Sequence, residues 1–150
     1  MGGHKGLKQI VEESNTRFYV AFESLSIEKM ERVWKHGDDT VCIHPGWEMF
    51  TGWTAIRESW ESIFENIRKI EFYVTNIKIR TFENENIAIV VCLENINSLV
   101  DNENSFRTGV IATNIFEHNF KYGNNYDNEW LMIHHHASSV ANYMPPNVSV

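Results

Sequence analysis

Two cysteines, Cys42 and Cys92, are all that the 150 residues contain, which excludes a disulfide-stapled secreted scaffold. The N-terminus also lacks the apolar core of a secretory signal, so the expectation is two reduced thiols in a cytoplasmic protein. No apolar run reaches the roughly eighteen residues that a helical bilayer crossing needs, and no membrane partner is expected. Basic residues are scarce: 13 Lys and Arg face 20 Asp and Glu, a net charge of -7 with no basic stripe. That balance excludes a phosphate-reading nucleic-acid binder. A Gly-rich phosphate loop, a Ser-His-Asp order and an internal repeat are absent as well. What is present is 43% hydrophobic and 13% aromatic residues, a composition that buries a core unaided. One domain spanning 1–150 is expected, ordered over about 7–140.

From Leu7 to Leu25 the apolar residues Leu7, Ile10, Val11, Phe18, Ala21, Phe22 and Leu25 recur at helical steps. Ser26 is placed to cap a second, short helix carrying Met30, Val33 and Trp34 and ending near His36-Gly37. Thr40 to His44 reads as a strand halted by Pro45-Gly46. Trp47, Phe50 and Trp53 follow in a Gly-punctuated loop, where three large aromatics should close over something apolar. A third helix is expected over about Thr54 to Arg68, with Ile56, Trp60, Ile63, Phe64 and Ile67 on its buried face.

The period then changes to two. Strands are expected over Ile70–Phe82, Ile87–Leu99, Phe106–Phe120 and Glu129–Ser139, separated by polar turns at 83–86, 101–104 and Tyr122–Asn128. Strands joined by short turns imply an antiparallel meander, and helices grouped ahead of them imply an α+β fold. The expected architecture is a cone: a curved antiparallel sheet wrapped around helices, in the order helix, helix, strand, helix and four strands.

The last of these strands is the most informative. Alternation puts Trp130, Met132, His134, His136 and Ser138 on one face, and Leu131, Ile133, His135 and Ala137 on the other. The face that mixes bulk with imidazole suits a pocket wall, so Trp130, His134 and His136 are expected on the concave side, with His135 turned outward. A metal held by His134 and His136 would take His44 as a third ligand. No carboxylate stands at short spacing, and neither a metal nor an organic cofactor is expected. Glu94 shares a face with Ala88, Val90 and Cys92. In an apolar pocket its carboxyl would titrate higher and serve as an acid or base; at the rim of the sheet it would be solvated. Asn114, on the face of Ala112 and Phe116, is placed to orient such a carboxylate or a ligand carbonyl. Trp47, beside His44-Pro45-Gly46, belongs at the pocket mouth. Cys42 lacks a basic activator and reads as an inert thiol.

Ile43-His44-Pro45-Gly46-Trp47-Glu48, Gly52, Ser59-Trp60, Ile63-Phe64, Ala112-Thr113-Asn114-Ile115-Phe116 and Trp130 through Ser138 together resemble the SnoaL-like branch of the nuclear transport factor 2-like superfamily. The resemblance covers about Val11 to Val140. It implies a cone-shaped α+β fold with a deep pocket, commonly dimeric through the outer face of its sheet. It does not imply one activity, because the superfamily holds ketosteroid isomerases, polyketide cyclases, dehydratases and kinase association domains. The acids and bases of the steroid isomerases have no motif match here.

Three readings follow. The first is a module that binds a small hydrophobic or aromatic molecule, with His44, Trp47, Asn114 and Trp130 contacting it. The second is a cofactor-independent isomerase, dehydratase or cyclase in which Glu94, His134 or His136 moves protons. The third is a structural dimerisation domain. A homodimer is expected in each, because Leu131, Ile133, Ile87, Ile89, Val91 and Ile111 make the second face too apolar to leave bare.

Overall fold

In the computed structural model, which describes residues 5–82, 84, 86–118 and 130–146, the first helical stripe closes as α1 (Leu7–Ser24). Its buried face carries Val11, Phe18, Ala21 and Phe22, but also Ser14, Asn15 and Tyr19. Leu25 ends the helix in the left-handed region, its N–H donating to the Phe22 carbonyl. The hydroxyl of Ser26 then caps α2 (Ile27–Val33) by accepting from the Lys29 N–H. This helix stops earlier than the sequence suggested, because Trp34 leaves it to bridge Met132 and the Lys35 N–H donates to the Met132 carbonyl.

The chain continues through β1 (Val41–Ile43), β2 (Met49–Thr51), α3 (Trp53–Glu65), β3 (Lys69–Phe82), β4 (Ile87–Leu99), β5 (Ser105–His118) and β6 (Trp130–Ser139). The strand β2 was not expected. Pro45 and Gly46, the latter at φ +79°, do not simply halt the chain but turn it back, so that Met49, Phe50 and Thr51 pair antiparallel with Ile43, Cys42 and Val41. Trp53 opens α3 instead of lying in a loop. The hairpin loop expected over Tyr122–Asn128 lies outside the described residues.

The sheet runs β2-β1-β6-β5-β4-β3. From β3 to β6 it is the expected antiparallel meander. It becomes mixed where β1 joins β6 in parallel, placing Val41, Cys42 and Ile43 beside His134, His135 and His136. Helices α1 and α3 fill its concave side, around the fully buried Phe18, Trp34, Trp60 and Phe116. No helix among the described residues is long and apolar enough to cross a membrane.

One irregularity reverses an expectation. Ile115 pairs with His134 while Phe116 pairs with Met132, so Ile133 is an extra residue on β6. A bulge of this kind shifts the side-chain alternation by one. Trp130 and Met132 are buried before it; His135 and Ala137 are buried after it, and His134 and His136 face outward. The concave placement expected for His134 and His136 is therefore corrected, and His135 takes the inner position.

Phe18 ties α1 to the inner wall: its ring lies 4.9 Å from Tyr19, 5.8 Å from Trp60 and 4.9 Å from His135. Phe18→Ala should lower unfolding free energy by about 3–5 kcal/mol through lost burial and the void left behind. Denaturant titration with an unchanged m-value is the check, and a loss under 1 kcal/mol would contradict this packing.

Candidate functional site

A cavity of about 360 Å³ opens between the C-terminal half of α3, the β1–β2 turn and the concave sheet. Its walls are apolar, with Phe22, Ile63, Ile67, Ile70, Ile96 and Val110 among them, and among the described residues no Lys or Arg lines it. Trp47 stands at the mouth, 43% exposed, with its ring 5.2 Å from that of His44. His44, Glu94 and His135 line the cavity as well, and each is 2% exposed or less.

Glu94 occupies the inner face of β4, as alternation after Ala88, Val90 and Cys92 requires, and it is not at a solvated rim. The Tyr19 hydroxyl donates to Glu94 Oε2 at 2.5 Å and lies 3.3 Å from Cys92 Sγ. Burial pushes the Glu94 carboxyl up from its ordinary value to about 7, with the Tyr19 bond opposing the rise. Tyr19 is itself held well above the usual phenol range, by burial first and by the Glu94 charge second. Burial also pushes the Cys92 thiol up to about 11 and Cys42 higher still, so neither sulfur is a nucleophile at neutral pH.

Asn114 is fully buried behind the cavity wall. Its Nδ2 donates to Asn15 Oδ1 at 2.8 Å and to the Tyr19 oxygen at 3.2 Å, while its Oδ1 lies 2.6 Å from His135 Nδ1. His135 and Glu94 are thus the cavity-lining ends of one polar chain that runs through Asn114 and Tyr19. His44 belongs to a separate pair: its Nε2 lies 2.9 Å from Ser59 Oγ, which donates to the Ile56 carbonyl at 2.7 Å. A hydroxyl has one proton, so Ser59 accepts from His44 Nε2–H. Burial lowers His44 to about 4 and lowers His135 well below the imidazole range, so both rings are neutral at physiological pH.

Of the residues singled out from the sequence, His44, Trp47 and Glu94 meet in one cavity, Asn114 supports it from behind, and Trp130 is core, stacked on His118. His134 and His136 lie on the opposite face with ring centroids 6.4 Å apart. His134 is held below its ordinary value, by partial burial first and by His136 second. Among the described residues no three His, Cys, Asp or Glu side chains converge as metal ligands. Asn15, Tyr19 and His135 were missed. Asn15 and Tyr19 were readable, because they fall four and eight positions after Val11 on its helical face. His135 carried no such signal, since a bulge decides its side.

A three-helix layer against an open, curved six-stranded sheet is the α+β cone of nuclear transport factor 2-like proteins. A sequence profile of the SnoaL-like domain matches residues 11–143, and the chain belongs to that family. A candidate dehydratase of the nuclear transport factor 2-like family from Streptomyces avermitilis superposes with a TM-score of 0.77 at 28% identity, over 89% of this chain and 95% of that one. A candidate calcium/calmodulin-dependent protein kinase type II association domain from Thiobacillus denitrificans gives 0.71 at 26% identity, over 86% and 94% of the two chains. The F-box protein SKIP8 of Arabidopsis thaliana is 24% identical over 124 residues, 83% of this chain. The chain spans about half the length of that relative, 47%.

The Glu94 environment has a thermodynamic signature. An unfolded carboxyl ionises near 4.5 and the folded one near 7, so the contribution of Glu94 to stability is fully present below pH 4.5 and is lost as pH rises through 7. His44 acts in the reverse sense: its contribution is present above pH 6.5 and is lost as pH falls through about 4. At pH 8, Glu94→Gln should therefore be more stable than wild type by up to about 3 kcal/mol, and the gain should vanish below pH 4.5. Melting temperatures across this range test it; a variant destabilised equally at every pH would show that the carboxylate is not strained.

Proposed function

We propose that the cone binds a small, neutral, mostly apolar molecule, with His44, Glu94 and His135 at the inner end of the cavity and Trp47 at its mouth. One observation carries this reading: an apolar cavity of about 360 Å³, within the size range of small-molecule sites, receives a few convergent polar groups from the turn after β1, from β4 and from β6. Among the described residues no Lys or Arg stands in the wall, which disfavours phosphate- or carboxylate-bearing ligands. Native mass spectrometry of the purified protein should detect a co-purified molecule of a few hundred daltons, and Val110→Trp should eject it by filling the space. The same adduct on both proteins would put the ligand elsewhere. An empty wild type that binds nothing from a panel of neutral aromatic fragments would overturn the reading.

A second reading, proton-transfer catalysis, is favoured by the Tyr19-Glu94 pair, whose carboxyl titrates near the operating pH. The candidate dehydratase among the relatives supports it. Glu94→Gln removes the titrating proton and little volume. Turnover of a transformed ligand should fall by about 100-fold or more while its binding persists. Unchanged turnover would exclude Glu94 as the acid or base.

We further propose a homodimer through the outer sheet face, where Ile111 is 47% and Val91 36% exposed, beside Ile89, Leu93, Ile115 and Ile133. Free, buried Cys42 and Cys92 suit a reducing compartment such as the cytoplasm. Light scattering at micromolar concentration should return twice the 17.5 kDa chain mass, and Ile111→Lys should shift it toward the monomer. A wild-type value of 17.5 kDa would refute the dimer.

A further inference from the structure

The protons of the buried polar chain can be assigned one after another, and the last assignment states what the cavity asks of its ligand. Tyr19 has a single hydroxyl proton, and at 2.5 Å it is directed at Glu94 Oε2. The Tyr19 oxygen is therefore an acceptor, and the group facing it at 3.2 Å is the Asn114 amide nitrogen. That contact and the 2.8 Å bond to Asn15 Oδ1 turn the Asn114 amino group toward α1. The Asn114 carbonyl oxygen is thereby turned toward β6, where it lies 2.6 Å from His135 Nδ1. A carbonyl oxygen only accepts, so Nδ1 carries the proton of this neutral ring. Nε2 is left as a bare lone pair, with no hydrogen-bond partner among the described residues, on a side chain that lines the cavity.

We propose that the inner end of the cavity is a hydrogen-bond acceptor subsite, in which the His135 Nε2 lone pair receives a neutral hydroxyl of the ligand, a phenol or enol, and that Asn114 is the positioning residue that sets the tautomer. The proposal rests on the cavity-binding reading above and names its ligand class. His44 has the opposite proton arrangement, donating from Nε2 to Ser59, which leaves Nδ1, among the described residues, with only the Cys42 sulfur, 3.9 Å away. Two imidazoles with centroids 6.4 Å apart thus each keep a lone pair free of any strong donor among the described residues. These lone pairs repel a carboxylate, and neither imidazole offers an ether or a ketone a proton to receive.

Two measurements on the wild-type protein test this. Long-range proton–nitrogen NMR of the histidine rings should show His135 as the Nδ1–H tautomer. Titration calorimetry should show 2-naphthol binding about tenfold or more tighter than 2-methoxynaphthalene, with 2-naphthoate weaker than the naphthol. Asn114→Leu should move His135 toward the Nε2–H tautomer and remove the preference for naphthol over its methyl ether. Where that variant does not fold, the wild-type comparison stands alone. An Nε2–H tautomer in wild type, equal affinities for naphthol and methoxynaphthalene, or tightest binding of naphthoate would each overturn the acceptor subsite while leaving ligand binding in the cavity intact. Failure of all three probes to bind, with the Nδ1–H tautomer present, would overturn the cavity-binding reading and the subsite with it.

Discussion

One extra residue in β6 governs the inside of this protein. With Ile133 inserted opposite the Ile115–Phe116 step, the strand buries Trp130 and Met132 in its first half and His135 and Ala137 in its second. A regular strand would have carried His134 and His136 inward, two imidazoles where the cone now holds one. The bulge also sets what β1 meets, because the parallel register places Cys42 beside His135. The buried Cys42 and His44, on the turn that follows β1, therefore share their side of the sheet with His135. The polar floor of the cavity is thus a consequence of a local backbone device, of the kind that commonly re-aims side chains next to sites.

Having placed one imidazole inside, the fold must satisfy it. Asn15, Tyr19, Glu94, Asn114 and His135 are each 4% exposed or less, and a buried polar group without a partner costs about 1–3 kcal/mol. These five bond to one another across α1, β4, β5 and β6, with His135 Nε2 left facing the cavity. Because each proton has one available destination, the network has a direction, and a change at one end is felt at the other. The helix is therefore held to the sheet by more than the ring contacts of Phe18 with His135 and of Phe22 with Phe72. It supplies the amide and the phenol that organise the cavity wall from behind.

How much of this was legible in the sequence depends on range. Helical stripes, period-two runs and polar turns are local, and they led to the element order, the meander and the fold class. Glu94 was legible too, because an uninterrupted run from Ala88 carries the alternation to it without a break. The short strand β2 was not, since it exists only by pairing across Pro45-Gly46 with β1. The inward histidine was missed for the same reason: register is a relation between strands, and a single inserted residue inverts it. Asn15 and Tyr19 sat on a readable stripe, but a polar residue there declares itself only when its partner on the sheet is known.

The cone alone does not decide between holding a molecule and transforming one, but the cost of Glu94 bears on the choice. A carboxyl raised to about 7 by burial opposes folding at neutral pH by an amount on the order of a few kcal/mol. That is a sizeable fraction of the roughly 5–15 kcal/mol that holds a typical domain together. A glutamine would fill the same space and accept the Tyr19 proton without that cost. The strain has a return if the carboxylate meets a ligand in the cavity, where it is poised to give up or take a proton within the pH range of a cell. The Tyr19 bond fits this use. It keeps Oε2 engaged from behind, so proton exchange with a ligand would fall to the other carboxyl oxygen, on a side chain that lines the cavity. A purely structural cone would gain nothing from a group so placed.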